Sequence, residues 1–266
     1  MNLLSVVAFV LAGGVLSFGV FTSDNAGVFL NTHALLIVIG GTIAAASISF
    51  QIDRLFLLFK TFFQRVIRGH KEDYVKLIQE LMVLADAYRT HSPEFERLVG
   101  RATDPFMKEA MNALQDEVLD HDTLVRVLRM RVQTTYQRQE EEMFKFRTVG
   151  KYPPAFGLMG TTISMITLLQ KLGQPGGQKM IGPAMAIGLV ATFYGLALAN
   201  LVFNPISENL HDSAKQTRTK NFIIIEGIRL ILQGTNPVVL AEELNSFLLP
   251  GERVDWKKFS GMKKAA

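Results

Sequence analysis

The chain has 266 residues, of which 48% are hydrophobic and 20% are charged, and its net charge at neutral pH is +4. It contains no cysteine, which excludes disulfide bonds and thiol catalysis. This composition is typical of a membrane protein with a large water-exposed part. The small positive charge favours basic cytoplasmic loops over a nucleic-acid interface, so we expect no nucleic-acid partner.

The first 50 residues carry two long apolar segments, Leu3–Phe21 and Ala34–Phe50. Each approaches the roughly 20 residues that a helix needs to cross a bilayer. No Lys or Arg precedes the first segment, so it lacks the basic region of a signal peptide. The sequence therefore predicts that residues 1–50 form transmembrane helices 1 and 2, both retained.

Residues 51–150 differ in character, because charged residues become frequent and the Lys and Arg content places this segment in the cytoplasm. Three signals mark helix ends within it: Ser92-Pro93 predicts the end of one helix or the start of the next, and Asp104-Pro105 and Asp122 predict helix starts. Apolar residues also recur at helical spacing before the first of these signals, at Leu77, Ile78, Leu81, Leu84, Ala85 and Tyr88. We therefore expect a helical cytoplasmic domain with no strands.

Residues 151–205 form a second pair of apolar segments, joined by a short loop rich in glycine, and are predicted as transmembrane helices 3 and 4. Residues 206–266 are basic again and predict a cytoplasmic helical tail, with a last helix starting at Asn236-Pro237. The predicted fold is an all-α membrane protein with four transmembrane helices, a helical cytoplasmic domain inserted between helices two and three, and both termini in the cytoplasm.

Small residues follow one face of each helix of this second pair. Such faces let two helices pack closely, which is the simplest reading of the glycines. Thr161 and Thr192 border these faces, and for them packing and a role in an ion path are equally compatible with the sequence. The residues concerned are Gly157, Gly160, Thr161 and Ser164 in helix 3, and Ala184, Gly188, Ala191, Gly195 and Ala199 in helix 4.

None of the four predicted spans contains Asp, Glu, Lys or Arg. Proton and sodium carriers ordinarily need an ionisable group inside the membrane. Either the chain carries no ions, or a partner chain supplies the carboxylate. Pro154 and Pro205 lie where the second helix pair meets the cytoplasmic segments, and proline permits a bend there. They are either ordinary helix-end prolines or the bends through which a conformational change passes.

The sequence does not support an enzyme. The glycines between the third and fourth spans lack the lysine and hydroxyl of a phosphate-binding loop. The five histidines have no metal-ligand spacing, and no serine has a base placed near it as in a catalytic triad. We therefore predict no catalytic residues, no bound metal and no cofactor.

Several motifs closely resemble the MotA/PomA family of flagellar stator subunits, and the resemblance covers nearly the whole chain. The most specific is the helix pair itself, where Tyr152-Pro-Pro-Ala-Phe-Gly-Leu-Met-Gly-Thr precedes Ile181-Gly-Pro-Ala-Met-Ala-Ile-Gly-Leu-Val-Ala-Thr-Phe-Tyr-Gly. Further matches are Gly40-Gly41-Thr42, Asp104-Pro-Phe-Met-Lys, Glu226-Gly-Ile and Gly234-x-Asn-Pro.

The resemblance implies a homopentamer in the bacterial inner membrane around two copies of a MotB-type subunit, which has one span, an ion-binding aspartate and a peptidoglycan-binding domain. H⁺ or Na⁺ flow would then drive torque on the rotor protein FliG. By position, Thr161 and Thr192 match hydroxyls that line the family's ion path, and Pro154 and Pro205 match its paired prolines.

The resemblance is imperfect at two places. Ala191 stands where many members have a second threonine. Arg89 matches a rotor-facing arginine, but Arg97 stands where the family has a glutamate, so either Glu96 or Glu94 replaces it at the rotor interface or the contact differs. Two rival functions remain open: a TolQ/ExbB-like energiser of an envelope protein, and a membrane scaffold that conducts no ions.

Overall fold

The computed structural model describes residues 11, 13–15, 17–22, 26–51, 53, 57, 60, 72–116 and 118–255. Over these residues the chain consists of helices and the turns that join them, without a strand. The prediction of an all-α protein is therefore confirmed. The first half of the predicted segment Leu3–Phe21 lies outside the described residues.

Ten α-helices are described. They are α1 Thr32–Leu35, α2 Gly41–Ser49, α3 Tyr74–Arg89, α4 Phe95–Gly100, α5 Pro105–Gln115, α6 His121–Val149, α7 Tyr152–Leu172, α8 Ile181–Leu198, α9 Asn204–Leu232 and α10 Pro237–Asn245. Two π-helical segments, Leu36–Gly40 and Ala199–Phe203, join α1 to α2 and α8 to α9. Short 3₁₀ turns are Ala26–Phe29, Gly177–Met180 and Pro250–Glu252.

The chain divides into two compact units. The first contains Met1–His70 and Glu140–Asp212, and the second contains Lys71–Gln139 and Ser213–Ala266. The unit boundaries fall inside α6 and α9, because each of these long helices contributes residues to both units. The predicted division at residues 50, 150 and 205 stays a prediction.

Two of the described helical segments, Ala26–Ser49 and Gly177–Leu232, are long and apolar enough to cross a bilayer. In the most apolar 18-residue stretch of each segment, only 17% and 33% respectively is buried within the chain. Much of their apolar surface is therefore free to contact lipid or another chain. Helix α7 is not among these segments, since its two prolines, its glycines and threonines, and Gln170-Lys171 lower its hydropathy. The count of four spans is not established by these features.

The second unit has an apolar core built from α3, α5, α6, α9 and α10. Ile78, Leu81, Met107, Leu128 and Ile228 are almost completely buried there. The helical pattern predicted between Leu77 and Tyr88 is therefore confirmed, because α3 turns this face to the core.

Capping side chains set several helix starts in this unit. Asp104 accepts hydrogen bonds from the N–H groups of Phe106 and Met107, and Asn236 accepts one from Val238, as predicted. Two predicted starts were wrong in position. Helix α6 is capped by Asp120, which accepts from the N–H of Thr123, rather than by Asp122.

The other shifted start is that of α4, which begins at Phe95, two residues after Pro93, whereas the alternative prediction, that Ser92-Pro93 ends the preceding helix, agrees with the end of α3 at Arg89. The Ser92 hydroxyl instead accepts a hydrogen bond from the N–H of Glu94 in the preceding turn. Ser and Asp side chains stabilise turns as well as helix ends, which is why the sequence signal was off by two residues here.

A group of three charges links separate elements of the second unit. The Lys220 ammonium lies 2.9 Å from Glu72 and 2.8 Å from Asp104, and all three side chains are at most 15% exposed. Burial disfavours the charged form of Lys220, but hydrogen bonds to Asp104 and Glu72 and their charges outweigh it. The pKa of Lys220 is therefore raised above its ordinary value.

Replacing Lys220 by Met should lower the free energy of unfolding at pH 7 by about 3 kcal/mol, because two carboxylates lose their buried cation. A cation with a raised pKa stabilises the fold at every pH below its unfolded pKa of about 10.4, and the contribution is lost as the pH rises through its higher folded pKa. The difference between wild type and Lys220→Met should therefore stay constant from pH 7 to 9 and shrink near pH 11.

Denaturant titration followed by circular dichroism measures this difference. Lys76→Met is the matched control, because Lys76 is 59% exposed and lies 4.0 Å from Glu80. The Lys76→Met substitution should lower the free energy of unfolding by less than about 0.5 kcal/mol. An equal effect of the two substitutions would contradict a buried ion group.

Candidate functional site

The two threonines that border the small-residue faces lie against each other in the first unit. The hydroxyl oxygens of Thr161 in α7 and Thr192 in α8 are 2.6 Å apart. Thr161 Oγ1 also lies 2.9 Å from the carbonyl oxygen of Gly188 and 3.2 Å from that of Gly157. The Gly157 carbonyl is in turn 3.4 Å from Thr192 Oγ1. The structure thus brings together two residues that are 31 positions apart in sequence.

This arrangement gathers four oxygen atoms, two from hydroxyls and two from main-chain carbonyls. One hydroxyl proton is shared between the threonines and the other is donated to a carbonyl, so both hydroxyls have partners inside the hairpin. Neutral oxygens of this kind suit a hard cation such as Na⁺ and can also relay a proton. The cluster carries no negative charge, so it cannot by itself balance an ion.

Three glycines near the threonine pair allow α7 and α8 to approach so closely. A Cβ on Gly157 would lie 2.9 Å from the Ala191 carbonyl oxygen, and one on Gly188 would lie 3.1 Å from the Thr161 Cα. A Cβ on Gly160 would lie 2.7 Å from the Ala191 Cβ. Contacts this short leave no room for a side chain. The separation of the two helices at the threonine pair therefore depends on the absence of β-carbons.

Ala191 is completely buried in this contact, with its methyl group directed at Gly160. The position that departs from the family pattern is therefore part of the helix contact in this chain. Ser164, another residue of the predicted small face, is also buried and lies against Gly188.

Tyr194 is a polar residue of this region that sequence reasoning missed. Its hydroxyl donates to the carbonyl of Phe29 and accepts from the N–H of Asn31 at 3.4 Å. Asn31 in turn caps α1 through the N–H of Ala34. The sequence did contain a signal for this contact: a tyrosine in an otherwise apolar helix needs a hydrogen-bond partner for its hydroxyl when water is excluded.

Of the predicted coupling prolines, Pro154 lies at a helix start and Pro205 lies within the continuous helical segment Gly177–Leu232. Pro153 and Pro154 occupy the first turn of α7, where the missing N–H groups cost nothing. A Cβ on Gly195 would collide with the Pro153 carbonyl oxygen and lie 3.1 Å from the Pro154 Cα, so α8 packs directly on this turn. Pro205 is the second residue of α9 and follows the π-helical segment Ala199–Phe203.

The two residues predicted for a rotor interface belong to the second unit. Arg89 ends α3, with its guanidinium 3.5 Å from Asp86 and 45% of its side chain exposed. Glu96 is exposed in the first turn of α4 and lines an open groove of about 1260 Å³. Arg97, at the position where the family has a glutamate, lies 2.7 Å from Glu94. Both predicted residues can thus be reached from solvent in the chain as described.

Among the described residues, no three His, Asp or Glu side chains are arranged to hold a metal ion. The chemistry that the described site offers is therefore that of neutral oxygen atoms in an apolar helix pair.

The chain is similar to several known proteins. The profile of the MotA/TolQ/ExbB proton channel family matches residues 99–221. The protein YtxD of Bacillus subtilis, described as uncharacterized, is 31% identical over 260 residues, which cover 96% of this chain and 92% of YtxD. The chemotaxis protein PomA of Vibrio alginolyticus is 29% identical over 257 residues, 95% of each chain.

A solved structure of the flagellar MotAB stator complex from Bacillus subtilis shares the fold, with a TM-score of 0.81 at 23% identity. The match covers 93% of this chain and 97% of that one.

The close contact at Gly195 can be tested by adding one methyl group. Gly195→Ala should destabilise the protein by about 2 kcal/mol, because its Cβ meets main-chain atoms of Pro153 that cannot easily move. Gly182→Ala is the matched control in the same helix, since nothing lies within 4 Å of its added Cβ. It should leave stability unchanged or raise it by up to about 1 kcal/mol. Thermal unfolding in detergent distinguishes the two, and equal midpoints would contradict the packing described.

Proposed function

The chain belongs to the MotA/TolQ/ExbB proton channel family, and we propose that it is an ion-conducting stator subunit of the bacterial flagellar motor. The observation that carries this proposal is the similarity to PomA, a chemotaxis protein, over 95% of each chain. The family resemblance read from the sequence is confirmed. Because the family is one of channels, the prediction that the chain is not an enzyme is confirmed as well.

We further propose that four helices cross the inner membrane, with both termini and residues 51–150 in the cytoplasm. Two described segments have the length and composition of spans, and α7 forms a hairpin with one of them. In a bilayer, the exposed apolar residues of α7 and α8, among them Leu158, Ile163 and Leu189, would meet lipid or neighbouring subunits. A pentameric ring is the assembly that the family resemblance implies.

The ion path of this proposal passes the threonine pair. The oxygens of Thr161 and Thr192 can hydrogen-bond a hydrated cation or its water, but they supply no charge. A carboxylate from a MotB-type partner helix would therefore complete the site, because an unbalanced cation in the bilayer is costly. The MotAB complexes with a similar fold contain a second protein, in keeping with such a partner. The transported ion is H⁺ or Na⁺.

Coupling to the rotor is the remaining part of the proposal. Pro154 lies in the first turn of α7, and Pro205 lies within the continuous helical segment Gly177–Leu232; neither proline has an N–H, so a bend there breaks no hydrogen bond donated by the proline. Arg89 and Glu96 are exposed charged residues of the second unit that can contact charged groups of FliG. An energiser of the TolQ/ExbB kind is the second candidate, because the family profile includes those proteins.

Expression in a motile bacterium that lacks its own stator genes tests this function. The chain together with a MotB-type partner should restore swimming, whereas the chain alone should not. Swimming speed measured against external sodium then identifies the ion. Failure to swim, combined with rescue of a strain lacking ExbB, would favour the energiser instead.

The threonine pair predicts a difference between two nearly isosteric substitutions. Thr192→Val keeps the side-chain shape but removes the hydroxyl, so ion flux and swimming speed should fall by about tenfold, the effect of losing about 1.4 kcal/mol of ion stabilisation. Thr192→Ser retains the hydroxyl and should keep most of the activity. Thr162→Val is the control, because Thr162 is exposed and its hydroxyl donates to the Leu158 carbonyl of its own helix. Equal behaviour of Thr192→Val and Thr162→Val would contradict the proposed path.

A further inference from the structure

The backbone hydrogen-bond pattern changes between α8 and α9. Pro205 has no N–H, and its ring excludes the regular bond to a carbonyl four residues earlier. The segment Ala199–Phe203 is π-helical, and the N–H of Asn204 donates to the carbonyl of Ala199, five residues back. The carbonyl of Asn200 would normally accept from the N–H of Asn204 in an α-helix or of residue 205 in a π-helix. The N–H of Asn204 already bonds to Ala199, and Pro205 has no N–H. The helix therefore has fewer backbone hydrogen bonds at this point.

Two asparagine side chains cross the same segment. Asn200 Nδ2 donates to the carbonyl of Leu196 at 3.0 Å, and Asn204 Nδ2 donates to Asn200 Oδ1 at 3.1 Å. The Leu196 carbonyl can only accept, so Asn200 must present its NH₂ to it, and its oxygen then faces Asn204. These groups form a continuous chain, the amide brace, from the last turns of α8 to the first residue of α9.

The segment also packs against the chain between α6 and α7. Phe203 is buried, and its ring centroid lies 6.2 Å from that of the buried Phe146. A Cβ on Gly150 would lie 2.9 Å from the Phe203 Cβ, so the chain between α6 and α7 touches the π-helical segment without an intervening side chain. The segment is therefore held by apolar contact as well as by the amide brace, and the same added Cβ on Gly150 would lie 3.4 Å from Asn204 Oδ1.

The brace lies on the exposed surface, because both asparagines are exposed. In the proposed bilayer setting the brace lies near the cytoplasmic end of a span, so its hydrogen bonds contribute modestly, as exposed bonds do. The bond between the two side chains forms only while the segment keeps its present shape.

We propose that Asn200 and Asn204 are positioning residues that hold the helix shape just before Pro205 while ion flow is converted into torque. This inference rests on the proposed stator function for its role in torque, whereas the brace itself is a property of the fold. The brace and the threonine pair are separate sites, since neither asparagine is hydrogen-bonded to Thr161 or Thr192 among the bonds described. Loss of the brace should therefore impair torque more than ion flux.

A double-mutant cycle tests the brace independently of motility. Asn200→Ala removes both side-chain bonds and Asn204→Ala removes one, so the double variant should unfold at the same temperature as Asn200→Ala. Each single variant should lower the unfolding midpoint in detergent by about 2 to 4 °C. Asn209→Ala, at another exposed position of α9, is the control and should change it by less than about 1 °C. Additive shifts in the double variant would overturn the brace.

Swimming speed and ion flux, both normalised to the amount of protein in the membrane, test the role in torque. In cells with the MotB-type partner, Asn200→Ala should swim at less than about half the wild-type speed, while ion flux in vesicles holding both proteins stays near the wild-type value. A proportional fall of flux and speed, or an unchanged speed, would overturn the positioning role. If wild type itself fails to restore swimming, the stator function is wrong, and the unfolding cycle still decides whether the brace exists.

Discussion

The contact between α7 and α8 without intervening side chains is the constraint on which the rest of this structure depends. An added Cβ would lie 2.9 Å from a main-chain atom at Gly157 and 3.1 Å from one at Gly188, and this close approach lets the hydroxyls of Thr161 and Thr192 meet. A larger residue at either glycine would separate the helices and break the hydroxyl pair. The small residues therefore determine both how closely the two helices pack and whether the two hydroxyls can form their hydrogen bond.

An uncharged pair of hydroxyls has a direct consequence for function. Neutral oxygens stabilise an ion only partly, and the apolar surroundings make an unbalanced charge costly. In the proposed stator, the acidic group comes from another polypeptide, so ion binding depends on assembly. This dependence would couple conduction to the presence of an anchored partner and would keep an unassembled subunit from leaking ions.

The two compact units differ in where they place apolar and polar side chains. In the second unit, apolar residues are buried and the charges of Lys220, Glu72 and Asp104 compensate one another. The first unit instead leaves apolar residues such as Leu158 and Leu189 exposed and hides its polar groups in the contact between helices. Next to Pro205, the exposed side chains of Asn200 and Asn204 are hydrogen-bonded to each other.

The sequence by itself determined the helical class, the family and the capped starts at Asp104 and Asn236, because these depend on composition, motifs and contacts only two or three residues apart. It also identified Thr161 and Thr192 as candidates. Only the tertiary structure decided that their oxygens lie 2.6 Å apart, that Tyr194 bonds to Phe29, and that the chain before Pro205 is π-helical. Those features depend on residues far apart in sequence, or on a choice between helix types that differ by one residue in their hydrogen bonds, and local patterns carry too little information to fix either.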